Sequence, residues 1–159
     1  MWNRAHVASV RWAVSLSVTA GIAYFIARRL NVDLGGLWVV LQAVLILRRN
    51  IVDSVMVARD QVIGTTTGVA FGAICGLLPL HSIGIALAVF LTATVCSAIT
   101  MLRGVVNIAC VAAAIVILLP VGKPSYVTAW DRFSDTLLGA AIALAIAGLG
   151  SLTSRKRLN

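Results

Sequence analysis

The stretch GTTTGVAFGAICG, residues 64–76, places Gly64, Gly68, Gly72 and Gly76 at a regular four-residue spacing. Residues four apart lie on one face of an α-helix. Each glycine there costs about 1 kcal/mol relative to alanine, so this face needs a contact that offsets the cost. In a membrane, small residues at this spacing let two helix backbones approach closely. The spacing therefore predicts a tightly packed helix, whose glycine face meets another helix of the chain, a second subunit or a conduction path.

The composition places this helix in a membrane protein. Of the 159 residues, 60% are hydrophobic and 11% are charged, whereas soluble domains are about 25% charged. A chain of this length could not bury so much apolar surface in water. We therefore predict an all-α integral membrane protein with a single domain, in contact with the lipid bilayer. Nucleic-acid binding is disfavoured despite the net charge of +8, because the basic residues are divided among the ends of the apolar segments.

Six apolar segments approach the roughly 20 residues that a membrane-spanning helix needs. We expect the residues between the second and third segments, 48–60, and those before the sixth, 121–132, to be polar loops. In this topology nine Lys and Arg residues lie on one side and four on the other, which predicts a multi-pass protein of the cytoplasmic membrane with both termini in the cytoplasm. The alternative is that the first segment is a cleaved signal peptide, which would leave five spans. The predicted spans are residues 12–27, 34–49, 61–79, 82–101, 104–120 and 134–152, followed by a short basic tail at 153–159.

A second segment of the chain is similar to the glycine-rich one. Residues 61–76 align with residues 132–147 at an offset of 71, which brings Thr65 onto Thr136 and Gly68 onto Gly139. If the chain is a tandem repeat, each copy has three spans, so the second copy inserts upside down relative to the first. An inverted 3+3 repeat is therefore one interpretation, and chance agreement between two glycine-rich helices is the other.

Two arginines, Arg59 and Arg132, precede the two series of small residues. We expect each to lie near a helix N-terminus, where free N–H groups and the helix dipole favour anions, and the guanidinium fork suits a carboxylate. The alternative is that both arginines anchor helix ends to lipid headgroups. We expect Asp60 at the mouth of the third span, where its helix enters the membrane, and Asp135 at the mouth of the sixth. No ionisable group is therefore expected within the membrane.

Gln42 and Asn107 are polar residues inside predicted spans. They either join helices through hydrogen bonds or line a substrate path. The spans also contain all three cysteines, whose odd number and wide spacing do not suggest a metal or redox site. No HExxH motif, paired carboxylates or Ser/His/Asp set has a catalytic spacing. We therefore expect no enzymatic activity, no metal and no cofactor.

Three motifs resemble the fusaric acid resistance and aromatic acid exporter (FUSC) family over roughly residues 10–150. They are GLWVVLQAVLIL at 36–47, IGTTTG at 63–68 and RFSDTLLGAAIA at 132–143. The family often has arginine three residues before Gly64, where this chain has Gln61. The residues that stand where the family has them are Arg132, Asp135, Thr136, Gly139, Gly64, Thr65 and Gly68.

The resemblance implies a six-helix membrane domain that exports aromatic carboxylic acids. It also implies that a single block of this size pairs with a second copy, so we expect a homo-oligomer, with a dimer favoured. The competing hypothesis is a non-transporting scaffold that binds a partner membrane protein through the glycine face. The candidate substrate-binding residues are Arg132, Asp135, Thr136, Arg59, Gln42 and Asn107. The candidate helix-packing residues are Gly64, Thr65, Gly68, Gly72, Gly76 and Gly139.

Overall fold

The structure, a computed structural model, describes residues 4–31, 36–78, 81–119 and 123–155. Within these ranges the chain is 90% helical and contains no β-strand, which confirms the all-α prediction. A short 3₁₀ helix, Thr100–Val105, joins the fourth and fifth α-helices. The α-helices are α1 (Arg4–Arg29), α2 (Leu37–Ile46), α3 (Ile51–Cys75), α4 (His81–Ala98), α5 (Val106–Leu118) and α6 (Ser125–Arg155).

Helix α3 begins at Ile51, so the expectation of a loop over residues 48–60 is wrong for most of that segment. The side chain of Asn50 caps this start, because its Oδ1 accepts a hydrogen bond from the Val52 backbone N–H at 3.2 Å. Such a bond satisfies one of the free N–H groups of a first turn. The polar residues of the segment are compatible with a helix because Asp53 lies on its exposed face.

Helix α6 begins at Ser125, inside the second expected loop, 121–132. The carbonyl oxygen of Pro124 accepts hydrogen bonds from the N–H groups of Val127 and Thr128, at 3.0 and 3.3 Å. Proline is favoured at helix starts because its missing N–H needs no partner there. The first turns of α6 mix polar residues with the exposed aromatic residues Tyr126 and Trp130, and this mixture is what made the segment look like a loop.

One helical stretch of the described residues is both long and apolar enough to cross a membrane, Ser125–Ser151. Three shorter apolar stretches accompany it, Leu37–Ile46, Ser82–Ala98 and Leu102–Leu118. Each of the six predicted spans overlaps a helix, but the number of spans is not confirmed. Where the membrane begins and ends along each helix also stays a prediction.

The chain divides into two compact units. Unit 1 is Met1–Ala58 together with Leu137–Asn159, and unit 2 is Arg59–Thr136. Two helices are shared between them, since α3 begins in unit 1 and continues into unit 2, and α6 begins in unit 2 and continues into unit 1. Whether the units together make a single membrane domain stays a prediction.

In unit 2, the glycine face of α3 packs against α5. A methyl group added at Gly72 would lie 2.8 Å from the carbonyl oxygen of Ala113 and 2.9 Å from the Cβ of Val116. At Gly68 it would collide with the carbonyl oxygen of Ala109. Because these glycines have no side chains, the backbones of α3 and α5 can come together. Helix α4 packs against α5 as well.

Helices α3 and α6 run antiparallel within unit 2, and two contacts fix their register. The Ser125 hydroxyl, at the start of α6, donates a hydrogen bond to the carbonyl oxygen of Gly76, at the end of α3, over 3.2 Å. Further along, the hydroxyl oxygens of Thr136 and Thr65 lie 3.5 Å apart. Residue numbers therefore increase along α6 in the direction in which they decrease along α3.

Unit 1 is built on α1, α2 and the second half of α6. Its core contains Ala23 and Ala27 from α1, Val39 and Ala43 from α2, and Ile142 from α6. Small residues on α1 let α2 approach closely. Gly36 lies directly before α2 with a φ of 78° and packs against Ala27. A glycine is needed there because its backbone is left-handed and a β-carbon would collide with Ala27.

The two units repeat one packing detail. In each unit, a glycine of a long helix faces the carbonyl oxygen of one residue in a neighbouring helix. The same glycine also faces the β-carbon of the residue three positions later in that neighbouring helix. The two glycines are 71 residues apart, and the residues they face are 70 apart. The contacts are Gly68 with Ala109 and Ala112 in unit 2, and Gly139 with Val39 and Gln42 in unit 1.

We expect Gly68→Ala to lower the thermal unfolding midpoint of the detergent-solubilised protein by several degrees. The added methyl group collides with backbone that cannot move aside without separating α3 from α5, and overpacking of this kind costs about 1–3 kcal/mol. Gly21→Ala is the matched control, because no atom of the described residues lies within 4 Å of a methyl group added at Gly21 on α1. Circular dichroism would measure both midpoints. Equal midpoints for the two variants would contradict the assigned contact.

Candidate functional site

A buried ion pair lies on α6 in unit 2. Arg132 and Asp135 are three residues apart, so one turn of the helix brings them to the same side, and Arg132 Nη1 lies 3.7 Å from Asp135 Oδ2. The side chains are only 8% and 6% exposed. Buried charges in proteins are costly unless they are paired. The pair is therefore a buried charged point on α6.

The position of this pair corrects one expectation about α6. Arg132 is the eighth residue of the helix, so it lies about 10 Å from the helix start at 1.5 Å per residue. The free N–H groups of a helix N-terminus are therefore not beside it. Asp135 lies one turn deeper, in the stretch that is apolar enough to span a membrane. Its position at the mouth of the sixth span stays a prediction.

Two threonines lie next to the ion pair. The hydroxyl of Thr136 donates a hydrogen bond to the carbonyl oxygen of Arg132 at 3.0 Å. The hydroxyl oxygen of Thr65, on α3, lies 3.5 Å from the hydroxyl oxygen of Thr136. Both threonines are buried. They are the two residues that the 71-residue alignment pairs with each other, so the equivalent positions of the two similar segments meet at this point.

Arg59 differs from Arg132 in its surroundings. Its guanidinium is 70% exposed and forms an ion pair of 3.2 Å with its neighbour Asp60. Because α3 begins at Ile51, Arg59 lies in the third turn of its helix, and the expectation that it lies near a helix N-terminus is also wrong. Exposed pairs of this kind contribute little to stability.

The remaining two candidates, Asn107 and Gln42, have different surroundings. Asn107 is exposed in the first turn of α5. Gln42 belongs to unit 1, where its Cβ faces Gly139 and its Oε1 is buried with no hydrogen-bond partner among the described residues. The structure thus brings together Arg132, Asp135 and Thr136 from the candidate substrate-binding residues, and adds Thr65, which the sequence suggested only for packing.

The comparisons with known proteins identify one family. The family model described as fusaric acid resistance protein-like matches residues 22–146, which include the ion pair, both threonines and the glycine face. No curated protein and no solved structure matches the chain. The resemblance noted from the three motifs is therefore confirmed at the level of the family.

A double-mutant cycle would test the coupling between Arg132 and Asp135. Removing one partner leaves the other charge buried alone, so we expect Arg132→Leu and Asp135→Leu each to destabilise the protein, by about 3–5 kcal/mol where such pairs have been measured. The double variant should lose less than the sum of the two. The matched cycle on Arg59 and Asp60, which are exposed, should give a coupling below about 1 kcal/mol. Additive effects at both pairs, measured by chemical unfolding in detergent, would contradict a coupled buried pair.

Proposed function

The chain belongs to the fusaric acid resistance protein-like family, whose members are membrane transporters rather than enzymes, and we propose that it carries small organic anions across the cytoplasmic membrane. Aromatic carboxylates are the representative substrates. Arg132 attracts the carboxylate of the substrate, and Asp135 and Thr136 complete the polar site around it. No covalent chemistry is required of these residues.

The observation that carries this proposal is the burial of Arg132. Charged residues inside apolar helices are rare, and they commonly mark substrate or ion pathways. Arginine presents a planar fork of donors that matches a carboxylate in a bidentate geometry. Its charge persists at any physiological pH, so the site attracts anions under all conditions in the cell. The exposed Arg59 serves as an outer contact for anions that approach unit 2.

We further propose that the chain is an inverted repeat of two three-span halves, with both termini in the cytoplasm. Two observations support the repeat: α3 and α6 are antiparallel where they meet, and they meet at the equivalent residues Thr65 and Thr136. Equivalent residues of two copies touch only near the axis that relates the copies. The repeated glycine contacts of the two units add to this. Transporters with inverted repeats bind their substrates where the repeats meet.

The working form proposed here is a homo-oligomer, with a dimer favoured. A second copy would double the helices available to enclose a translocation pathway. The competing scaffold hypothesis requires a glycine face that is open to a partner protein. Because α5 and the start of α6 cover this face within unit 2, we do not propose that function.

Flux into proteoliposomes tests the proposed transport. Vesicles that contain the purified protein should take up labelled benzoate faster than empty vesicles, and Arg132→Ala should reduce uptake to the empty-vesicle rate, because the carboxylate loses its charged partner. Arg132→Lys, which keeps the charge without the fork, should retain part of the flux.

Arg103→Ala is the matched control for this experiment. Arg103 is an exposed arginine of the same unit, and it donates a hydrogen bond to the Ser97 carbonyl oxygen at 3.1 Å rather than facing the buried pair. Its removal should leave the flux at the wild-type rate. Uptake that is the same in wild-type, Arg132→Ala and empty vesicles would contradict the proposed function.

A further inference from the structure

Helix α1 ends in a surface pocket that takes no part in the proposed transport site. The pocket has a volume of about 370 Å³, and the residues that line it are Tyr24, Phe25, Arg28 and Arg29. All four lie in the last two turns of one helix, so the pocket belongs to unit 1 alone. They follow or overlap the end of the first predicted span, residues 12–27, which places the pocket at a membrane surface.

Two aromatic rings hold the two guanidinium groups of this pocket. Residues four apart are neighbours on a helix surface, and each arginine follows a ring at that spacing. Arg28 Nη1 donates a hydrogen bond of 2.9 Å to the hydroxyl oxygen of Tyr24. Arg29 lies over the Phe25 ring, with its Cζ 5.1 Å from the ring centroid, a distance typical of a cation–π contact. Because a guanidinium has five N–H donors, both groups keep donors for a ligand.

The two positive charges are not neutralised within the described part of the chain. No carboxylate there forms an ion pair with Arg28 or Arg29, and both residues are exposed. Three other basic residues do have such a partner. Two adjacent guanidinium groups without a carboxylate favour an anion, and their planar forks match the oxygens of a phosphate. The basic residues that have a carboxylate partner are Arg59, Lys123 and Arg132.

An apolar track leads away from the pocket along α1. Val14, Val18, Ile22 and Phe25 recur at spacings of three and four residues, which places them on one face of the helix. Each of them is between 40% and 60% exposed. The track is about 16 Å long at 1.5 Å per residue, or about half of the roughly 30 Å thickness of a hydrocarbon core. It therefore has the length of one leaflet.

We propose that this pocket binds the phosphate group of an anionic phospholipid, whose acyl chain lies along the track. The phosphate contacts Arg28 and Arg29, and the rings of Tyr24 and Phe25 lie beside the glycerol group, at the depth where aromatic residues are enriched in membrane proteins. An inorganic phosphate would use only the arginines. An aromatic carboxylate would fill the pocket but leave the track unused, so the combination favours a lipid. The inference does not depend on the proposed transport.

Native mass spectrometry of the detergent-solubilised full chain tests this site with two lipids that have identical acyl chains. Wild-type protein should bind phosphatidylglycerol, which is anionic, with a Kd at least about tenfold lower than that for phosphatidylcholine, which has no net charge. The reason is that each basic residue beside an anionic headgroup strengthens binding about fivefold. Arg28→Gln combined with Arg29→Gln should abolish the preference.

Arg103→Gln combined with Lys123→Gln is the matched control. It removes the same two charges from exposed positions in unit 2, where each side chain has its own local contact, and it should keep the preference for phosphatidylglycerol. Equal Kd values for the two lipids in the wild type would overturn the inference, whether or not the variants fold. Loss of the preference in both double variants would also overturn it, because binding would then follow net charge alone.

Competition separates a lipid from a soluble anion at this pocket. Millimolar benzoate or inorganic phosphate should displace no more phosphatidylglycerol from the wild type than sodium chloride of equal ionic strength does. Displacement by benzoate or phosphate beyond the chloride control would assign the pocket to a soluble anion and overturn the lipid site. None of these measurements involves flux, so their failure leaves the proposed transport in place.

Discussion

The close approach of helix backbones along glycine faces is the interaction on which the rest of the structure depends. Lipid tails are as apolar as leucine side chains, so burial of apolar groups does not bring helices together in a membrane. Contact between backbones can do so, and Gly68 and Gly72 on α3 permit it against α5. Gly139 on α6 does the same against α2. These contacts set the positions of α3 and α6, and thereby of every side chain that the two helices carry.

The ion pair on α6 depends on this packing. Thr136 follows Asp135 directly, and its hydroxyl lies 3.5 Å from Thr65 on α3, so the depth of the pair is tied to the register between the two helices. Burial makes the charges of Arg132 and Asp135 strong toward any ligand and costly to leave unpaired.

Sequence reasoning reached the helical class, the glycine contacts and the family, because periodic spacing and motifs are local features. It also aligned Thr65 with Thr136, although only the structure brings the two into contact. It missed the starts of α3 and α6, because the charged and polar residues there were taken as signs of loops. It also missed the burial of Asp135, because burial depends on which neighbour covers a polar face. The three-residue spacing of Arg132 and Asp135 was the one available signal that they pair on a helix.

Disulfide cross-linking between α3 and α6 tests the central claim most directly. In a background without the three native cysteines, Thr65→Cys with Thr136→Cys should oxidise readily in membranes, as should Gly76→Cys with Ser125→Cys. Thr65→Cys with Ser125→Cys should not, because in the antiparallel arrangement these positions lie eleven residues apart along the helices, or about 16 Å at 1.5 Å per residue. Efficient cross-linking of this third pair, with none of the first two, would mean that α3 and α6 run parallel, and it would contradict the account.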